Sequence, residues 1–177
     1  MSGIHGEERS GPMALLRWLE KGKIPKRCSI WICPLINDMG WDRNKRNWGR
    51  LNLNSAFLEN KVNSPKFIHQ IMRSIKKFTP TVFVDFHEDV TTDYPYLFRN
   101  IIDNSEFIIN LQKKLKIKFE PWKDDSEYFG ASENFVRNNG CTAATTVEAP
   151  FIWDRKRKID YHLSVVKTVN RFVYSWI

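Results

Sequence analysis

The fold is decided by a short apolar run, Val82-Phe83-Val84-Asp85-Phe86, which ends at His87. A second run of β-type residues, Ala143-Ala144-Thr145-Thr146-Val147, ends at Glu148. Segments with helical periodicity separate and flank these two runs. Alternation of strands with helices predicts an α/β domain with a largely parallel sheet. Sheets of this kind place functional sites beyond the carboxyl ends of their strands, which is where His87 and Glu148 fall.

Apolar spacing predicts five helices, and two of them carry a histidine on an amphipathic segment. The predicted helices cover residues 12–20, 64–75, 103–115, 132–138 and 159–176, with Ser64 as the N-cap of the second. Residues 28–36 are predicted to form a further buried strand, and residues 37–57 an ordered loop rich in Asn, Arg and Trp. Loops of that length in compact domains are usually functional or disordered. His69 and His162 are predicted to face solvent.

Composition bounds the class of protein. The chain has 177 residues with 42% hydrophobic content, enough for one globular domain over residues 1–177. No apolar run approaches the ~20 residues of a membrane span, and the first ten residues lack the apolar core of a signal peptide, so a cytoplasmic location is expected. The net charge is +8, but the basic residues are dispersed. A solvated surface with a bias toward acidic substrates is therefore favoured over nucleic-acid binding.

Candidate metal ligands lie in the first eight residues. His5-Gly6-Glu7-Glu8 is an H-x-x-E pair directly before a helical pattern. Together with His87 it offers two imidazoles and one carboxylate, a set that leaves the fourth zinc position open for water. Glu148 could take the proton of that water. Each signal is weak alone, since an H-x-x-E pair often arises by chance and a lone His or Glu is usually only solvated.

The motifs gain weight from their order along the chain. They are H-G-E-E at 5–8, N-D-M-G at 37–40, N-L-N-S-A-F at 52–57, D-F-H at 85–87 and T-V-E at 146–148. This order resembles the zinc carboxypeptidases, whose pattern is H-G-x-E, N-P-x-G, D-L-N-R-x-F, D-L-H and T-x-E. It is most similar to the branch with succinylglutamate desuccinylase and aspartoacylase. The resemblance implies a single-domain amide hydrolase that acts on peptides or N-acyl amino acids, with a mixed, mostly parallel sheet flanked by helices.

The same resemblance implies the catalytic roles. His5, Glu8 and His87 would bind one Zn²⁺ per chain. Glu148 would be the general base and then the acid that protonates the leaving amine. Asp85 would be a partner of a ligand histidine, because metal-bound imidazoles commonly hold a carboxylate at their other nitrogen.

Residues on the substrate side follow from the same alignment. Arg46 would stabilise the oxyanion, with Arg43 as the alternative, although both could simply form a solvated loop face. Asn54 would hold a substrate carboxylate, or only close a turn. Tyr128 is placed on the substrate side by its rough distance before Glu148, and could equally be a packing residue.

Three departures from the family pattern set limits on this interpretation. Ser55 stands where the family has Arg, and Asn52 where it has Asp. The lost Arg would have been a bidentate partner for a substrate carboxylate. Only four residues precede His5, so the resemblance implies an N-terminally truncated domain without the edge strands. A sheet without them would expose an edge and permit association. A catalytically inactive remnant or binding module is therefore the alternative to an enzyme.

Overall fold

The molecule alternates helices with short strands. The computed structural model describes residues 1–21, 24, 28–59, 63–99, 106–121 and 130–175. The helices are α1 Ser10–Lys21, α2 Asp38–Arg43, α3 Lys66–Phe78, α4 Glu106–Leu115, α5 Ser132–Asn138 and α6 Arg155–Ser175, with a 3₁₀ turn at Leu53–Ser55. The strands are β1 Val82–Asp89, β2 Tyr96–Arg99, β3 Lys118–Pro121 and β4 Ala143–Pro150.

The four strands form one mixed sheet in the order β1-β4-β2-β3. β1 and β4 are parallel, with Val82 opposite Ala143 and His87 opposite Glu148. β2 is antiparallel to β4 and parallel to β3. The prediction of a mixed, mostly parallel α/β sheet flanked by helices is therefore confirmed. The register also places His87 and Glu148 side by side near the carboxyl ends of β1 and β4.

Two apolar clusters cover the two faces of the sheet. Phe83 and Ala144 belong to one cluster, which includes residues of α3 and α5. Phe86 and Val147 belong to the other, which includes residues of α1, α4 and α6. Every residue of β4 is buried, as expected for a central strand covered on both faces. None of the described helices is both long and apolar enough to cross a membrane.

One predicted strand is absent from the sheet. The prediction of a buried strand at residues 28–36 is wrong, because this segment forms no strand of the sheet and Trp31 is 45% exposed. The segment is hydrogen-bonded to Ser2, whose N–H donates to Cys33 O at 3.0 Å and whose hydroxyl donates to Pro34 O at 2.6 Å. Proline has no N–H to donate, which disfavours a regular ladder at this point.

Two further local predictions are corrected. Ser64 does not cap α3, since its hydroxyl donates to Ala56 O at 2.9 Å and Pro65 is the N-cap residue. His162 does not face solvent: its side chain is fully buried on α6, with Nδ1 3.0 Å from the Ser10 hydroxyl. The helices predicted at 12–20, 132–138 and 159–176 correspond to α1, α5 and α6, whereas the predicted start at 103 lies outside the described residues.

Candidate metal centre

The three predicted metal ligands converge. His5 and Glu8 come from the loop that leads into α1, and His87 comes from β1. His5 Nδ1 lies 2.6 Å from Glu8 Oε1, and His87 Nδ1 lies 3.1 Å from Glu8 Oε2. All three residues are buried, and one potential ligand atom from each lies within 4.8 Å of the others. Both imidazoles therefore direct the same nitrogen, Nδ1, at one carboxylate.

The tautomer of His5 is fixed by an amide. The Asn54 N–H donates to Asn52 Oδ1 at 3.0 Å, so this oxygen and not the NH₂ group faces the backbone donor. The same oxygen lies 3.1 Å from His5 Nε2. Because the oxygen can only accept, His5 must carry its proton on Nε2. Nδ1, which lies 2.6 Å from Glu8 Oε1, is then the nitrogen left to bind a metal ion, in place of its contact with that carboxylate.

A carboxylate lies beside the second ring nitrogen of His87. Asp85 Oδ2 lies 3.4 Å from His87 Nε2 and accepts a hydrogen bond from the Ser132 hydroxyl at 2.6 Å. Asp85 Oδ1 accepts from the Phe86 N–H at 3.0 Å. The 3.4 Å contact is an ion pair and not a hydrogen bond, since His87 Nε2 has no hydrogen-bond partner among the described residues. Metal-bound histidines commonly direct their other ring nitrogen at such a carboxylate. The donor set, two imidazole nitrogens and one carboxylate, fits Zn²⁺.

The buried charges of this cluster support each other. Burial alone would raise the pKa of the Glu8 carboxyl, but the adjacent His87 and His5 lower that pKa well below its usual range. Burial would likewise lower the pKa of His87, but the Asp85 and Glu8 carboxylates raise it well above its usual value. Without a metal ion, an imidazolium between carboxylates is therefore the stable state. A dication would take over that positive charge.

Glu148 lies opposite His87 in the sheet and is only 8% exposed. Its Oε2 has no hydrogen-bond partner among the described residues. Burial raises the pKa of Glu148 to about 8, with the charges of Glu8, Asp89 and Glu133 adding to the effect and His87 opposing it. A buried carboxyl with a raised pKa beside the ligand cluster is suited to exchange protons with a bound molecule.

Two glycine-containing motifs hold the ligand loop in place. A Cβ on Gly6 would lie 2.1 Å from the carbonyl carbon of Gly40, so the two backbones touch in a way no other residue permits. Asn37 adds three hydrogen bonds: it donates to Ile4 O at 3.1 Å and Arg46 O at 2.9 Å, and accepts from the Gly40 N–H at 2.8 Å. The N-D-M-G motif thereby fixes the backbone on both sides of the site.

The structure distinguishes the two arginine candidates. Arg46 Nη1 lies 3.1 Å from Glu8 Oε1 and 3.4 Å from Glu7 Oε1, and its side chain is 49% exposed. It therefore stands at the mouth of the ligand cluster. Arg43 ends α2 with an exposed side chain, and no hydrogen bond or ion pair joins it to the described residues of the site. The geometry favours Arg46 over Arg43.

Other residues add less to the site than the alignment implied. Asn54 contributes its backbone N–H to Asn52, while its own Oδ1 is buried without a partner among the described residues. Tyr128 lies outside the described residues. Sequence reasoning missed Ser132 as the partner of Asp85 and Glu133 as a buried carboxyl near it. Burial, with Asp85 adding, raises the pKa of Glu133. No motif or spacing in the sequence pointed to either residue.

Comparisons with known proteins bear on this geometry. No protein-family model and no curated protein matches the sequence. Solved structures do match, beginning with a protein from Shewanella baltica described as a metallopeptidase, at 20% identity and a TM-score of 0.77, over 97% of this chain and 74% of that one. The chain has a metallopeptidase-like fold. A second protein so described, from Shewanella denitrificans, is 23% identical over 95% of this chain and 70% of its own, with a TM-score of 0.77.

The third similar structure is larger. The cell shape determinant protein Csd4 of Helicobacter pylori, a D,L-carboxypeptidase, is 17% identical with a TM-score of 0.77. The match covers 95% of this chain and 48% of Csd4. Csd4 has been crystallised with a tripeptide and with mDAP. At these identities the likeness concerns the fold of this chain, and its chemistry has to be argued from its own residues.

Proposed function

We propose that this protein is a zinc-dependent hydrolase of amide bonds, of the metallocarboxypeptidase or acyl-amino-acid deacylase type. One observation carries the proposal. The Nδ1 atoms of His5 and His87 approach the two oxygens of one carboxylate, that of Glu8, at 2.6 and 3.1 Å. The second nitrogen of each imidazole faces a fixed oxygen acceptor, from Asn52 and Asp85. Two imidazole nitrogens and one carboxylate, buried and brought together, form a donor set that suits Zn²⁺.

The chain's residues divide the work as follows. His5, Glu8 and His87 would hold Zn²⁺, which supplies a Lewis acid that polarises a carbonyl and lowers the pKa of water. Glu148 accepts a proton from the attacking water and delivers it to the leaving nitrogen. Burial holds its pKa above that of an ordinary carboxyl, which suits proton transfer near neutral pH.

Arg46 is the proposed electrophilic residue. Its guanidinium already touches Glu8, and its half-exposed side chain can turn toward a carbonyl oxygen bound at the mouth of the site. Fixed cationic donors stabilise the negative charge that develops on that oxygen in the transition state. Asn54 is proposed as a secondary contact to the substrate, and Arg43 is not needed.

Peptides and N-acyl amino acids are the proposed substrates. A fold shared with the D,L-carboxypeptidase Csd4 supports the peptide class. Ser55 replaces the cation that would bind a substrate carboxylate, and its hydroxyl instead donates to Asn52 O at 3.0 Å within the 3₁₀ turn. A strict preference for a free C-terminal carboxylate is therefore not expected. The net charge of +8 favours acidic substrates over basic ones at long range.

The missing cation also motivates a second candidate function. A module that binds a metal ion and a peptide without cleaving it would keep the ligand cluster and tolerate Ser55. This candidate predicts stoichiometric zinc without turnover on any substrate that binds.

Metal content and turnover test both candidates. Purified wild type should contain one zinc per chain, and His87→Ala should lose it. His69→Ala, on α3, is the matched histidine control and should retain the metal. Wild type is then screened with acidic N-acyl amino acids and short peptides. Zinc-free wild type would refute the metal site, and zinc-loaded protein that binds but never cleaves peptides would favour the second candidate.

A further inference from the structure

A basic cleft lies between α1 and α6, away from the candidate metal centre. It has a volume of about 540 Å³, and four cationic side chains line it: Arg17, Lys21, Lys167 and Arg171. Arg17 follows Ser10, the first residue of α1, by seven positions, or about 10 Å along the helix. The cleft therefore belongs to a different part of the surface from His5 and its partners.

The spacing of the four cations along the two helices is electrostatically unfavourable. Arg17 and Lys21 are four residues apart on α1, and Lys167 and Arg171 are four residues apart on α6. Like charges at this spacing destabilise a helix. Here two such pairs also line the same cleft, so their repulsion adds across it.

No carboxylate pairs directly with this group. Within the described part of the chain, none of the four cations has a carboxylate oxygen within 4.0 Å, although Lys156 on the same helix pairs with Asp160 at 2.6 Å. Glu20 is the single acidic residue in the lining. The lining thus carries a net of three positive charges. Asp160 is close enough to act on Arg17 and Lys167, but it is already paired with Lys156, so an anion in the cleft would still relieve repulsion among the four cations.

The size and walls of the cleft indicate the class of ligand. Its volume lies within the ~300–1,000 Å³ of small-molecule sites, and its cations converge on a concavity instead of following an extended stripe. Trp18, 5% exposed, and the half-buried Leu163 provide apolar wall. Guanidinium groups match the geometry of phosphate oxygens. We propose that this cleft binds a small polyanion that carries two or more phosphate groups.

Calorimetric titration with sodium tripolyphosphate at low salt tests the proposal. Wild type should bind one tripolyphosphate, more weakly as salt is raised. Lys167→Gln/Arg171→Gln should weaken binding at least tenfold. The control Lys113→Gln/Lys114→Gln removes the same charge from exposed positions on α4 and should bind as wild type does. An equal loss in the control would mean diffuse attraction to a basic protein and would overturn the proposal.

Two further measurements distinguish this cleft from the metal centre and from a surface for lipid or DNA. Wild type stripped of metal with EDTA should bind tripolyphosphate as untreated wild type does, because the cleft does not depend on the candidate metal centre; loss of binding there would overturn the assignment. Vesicles containing phosphatidylglycerol test a lipid source of the phosphates, since Leu16 and Leu19 are exposed on α1. Binding to such vesicles or to duplex DNA, with none to tripolyphosphate, would make the cleft part of a macromolecular surface and refute a small-molecule site.

Discussion

Replacing Lys158 by Met should destabilise both the fold and the metal centre. Lys158 is 9% exposed, and its ammonium forms an ion pair with Glu88, which is 4% exposed. Glu88 Oε1 also accepts the Ser10 N–H at 2.8 Å. This pair therefore connects three elements: β1 just after His87, α1 just after Glu8, and α6.

The size of the effect follows from burial. Methionine fills the space of the lysine stem but leaves the Glu88 carboxylate buried, with the Ser10 N–H as its one remaining partner among the described residues. Removal of one member of a buried pair costs about 3–5 kcal/mol. For a domain of this length each kcal/mol lowers the melting temperature by roughly 2–4 °C, so we expect a fall of roughly 6–20 °C. Zinc affinity should fall as well, since Ser10 and Glu88 adjoin two ligands.

The chain offers a matched control for this experiment. Lys156 pairs with Asp160 on the same helix but is 84% exposed, so water and salt screen this pair. Urea unfolding should show a large loss of stability for Lys158→Met and a much smaller one for Lys156→Met. Glu88→Gln combined with Lys158→Met should recover part of the loss, because no unpaired charge remains. Equal losses in the two single variants would refute the reasoning.

Three further predictions concern single residues. Glu148→Gln should retain zinc but lose at least about 10²-fold in turnover, the scale of general-base catalysis; unchanged turnover would remove its proposed role. Asn52→Leu should lower zinc affinity about 10–100-fold in chelator competition, since His5 loses its acceptor, while Asn52→Asp should not. Burial lowers the pKa of His162 from 6.5 to about 3, so between these values the unfolded chain binds a proton that the folded chain does not. Because of this residue, the free energy of unfolding should fall by about 2 kcal/mol as the pH is lowered from 7 to 5. His162→Gln should remove that part of the pH dependence in urea unfolding. An unchanged pH dependence would contradict the burial of His162 as a neutral group.

The predictable part of the fold is the part with strong apolar patterns. β1 and β4 follow from their short β-type runs, and α1, α5 and α6 from helical spacing. β2 and β3 were missed because each has only four residues, too few to show alternation. α2 was hidden in an Asn-rich loop for the same reason, since it has six residues. The strand predicted at residues 28–36 was wrong because the apolar composition of this segment was interpreted as evidence that it is buried in the sheet.

Some residues of the candidate site could likewise be predicted from the sequence, and others could not. His5, Glu8, His87 and Glu148 could be proposed from motif order, and the structure brings the first three together beside Glu148; their metal binding stays a prediction. Asn52 looked like a mere departure from the family pattern. Its part in orienting an imidazole depends on a backbone N–H two residues later, which spacing alone does not reveal.

The pairing of β1 with β4 has a consequence for how the chain folds. Val82 pairs with Ala143, so the paired residues of this ladder are 61 positions apart in the sequence. β4 is also the strand that joins β1 to β2. Such long-range parallel pairing forms slowly, because the entropy of closing the intervening loop is lost before the stabilising contacts between the strands form. A nascent chain on the ribosome therefore carries His5, Glu8 and His87 before the sheet that brings these three residues together can close.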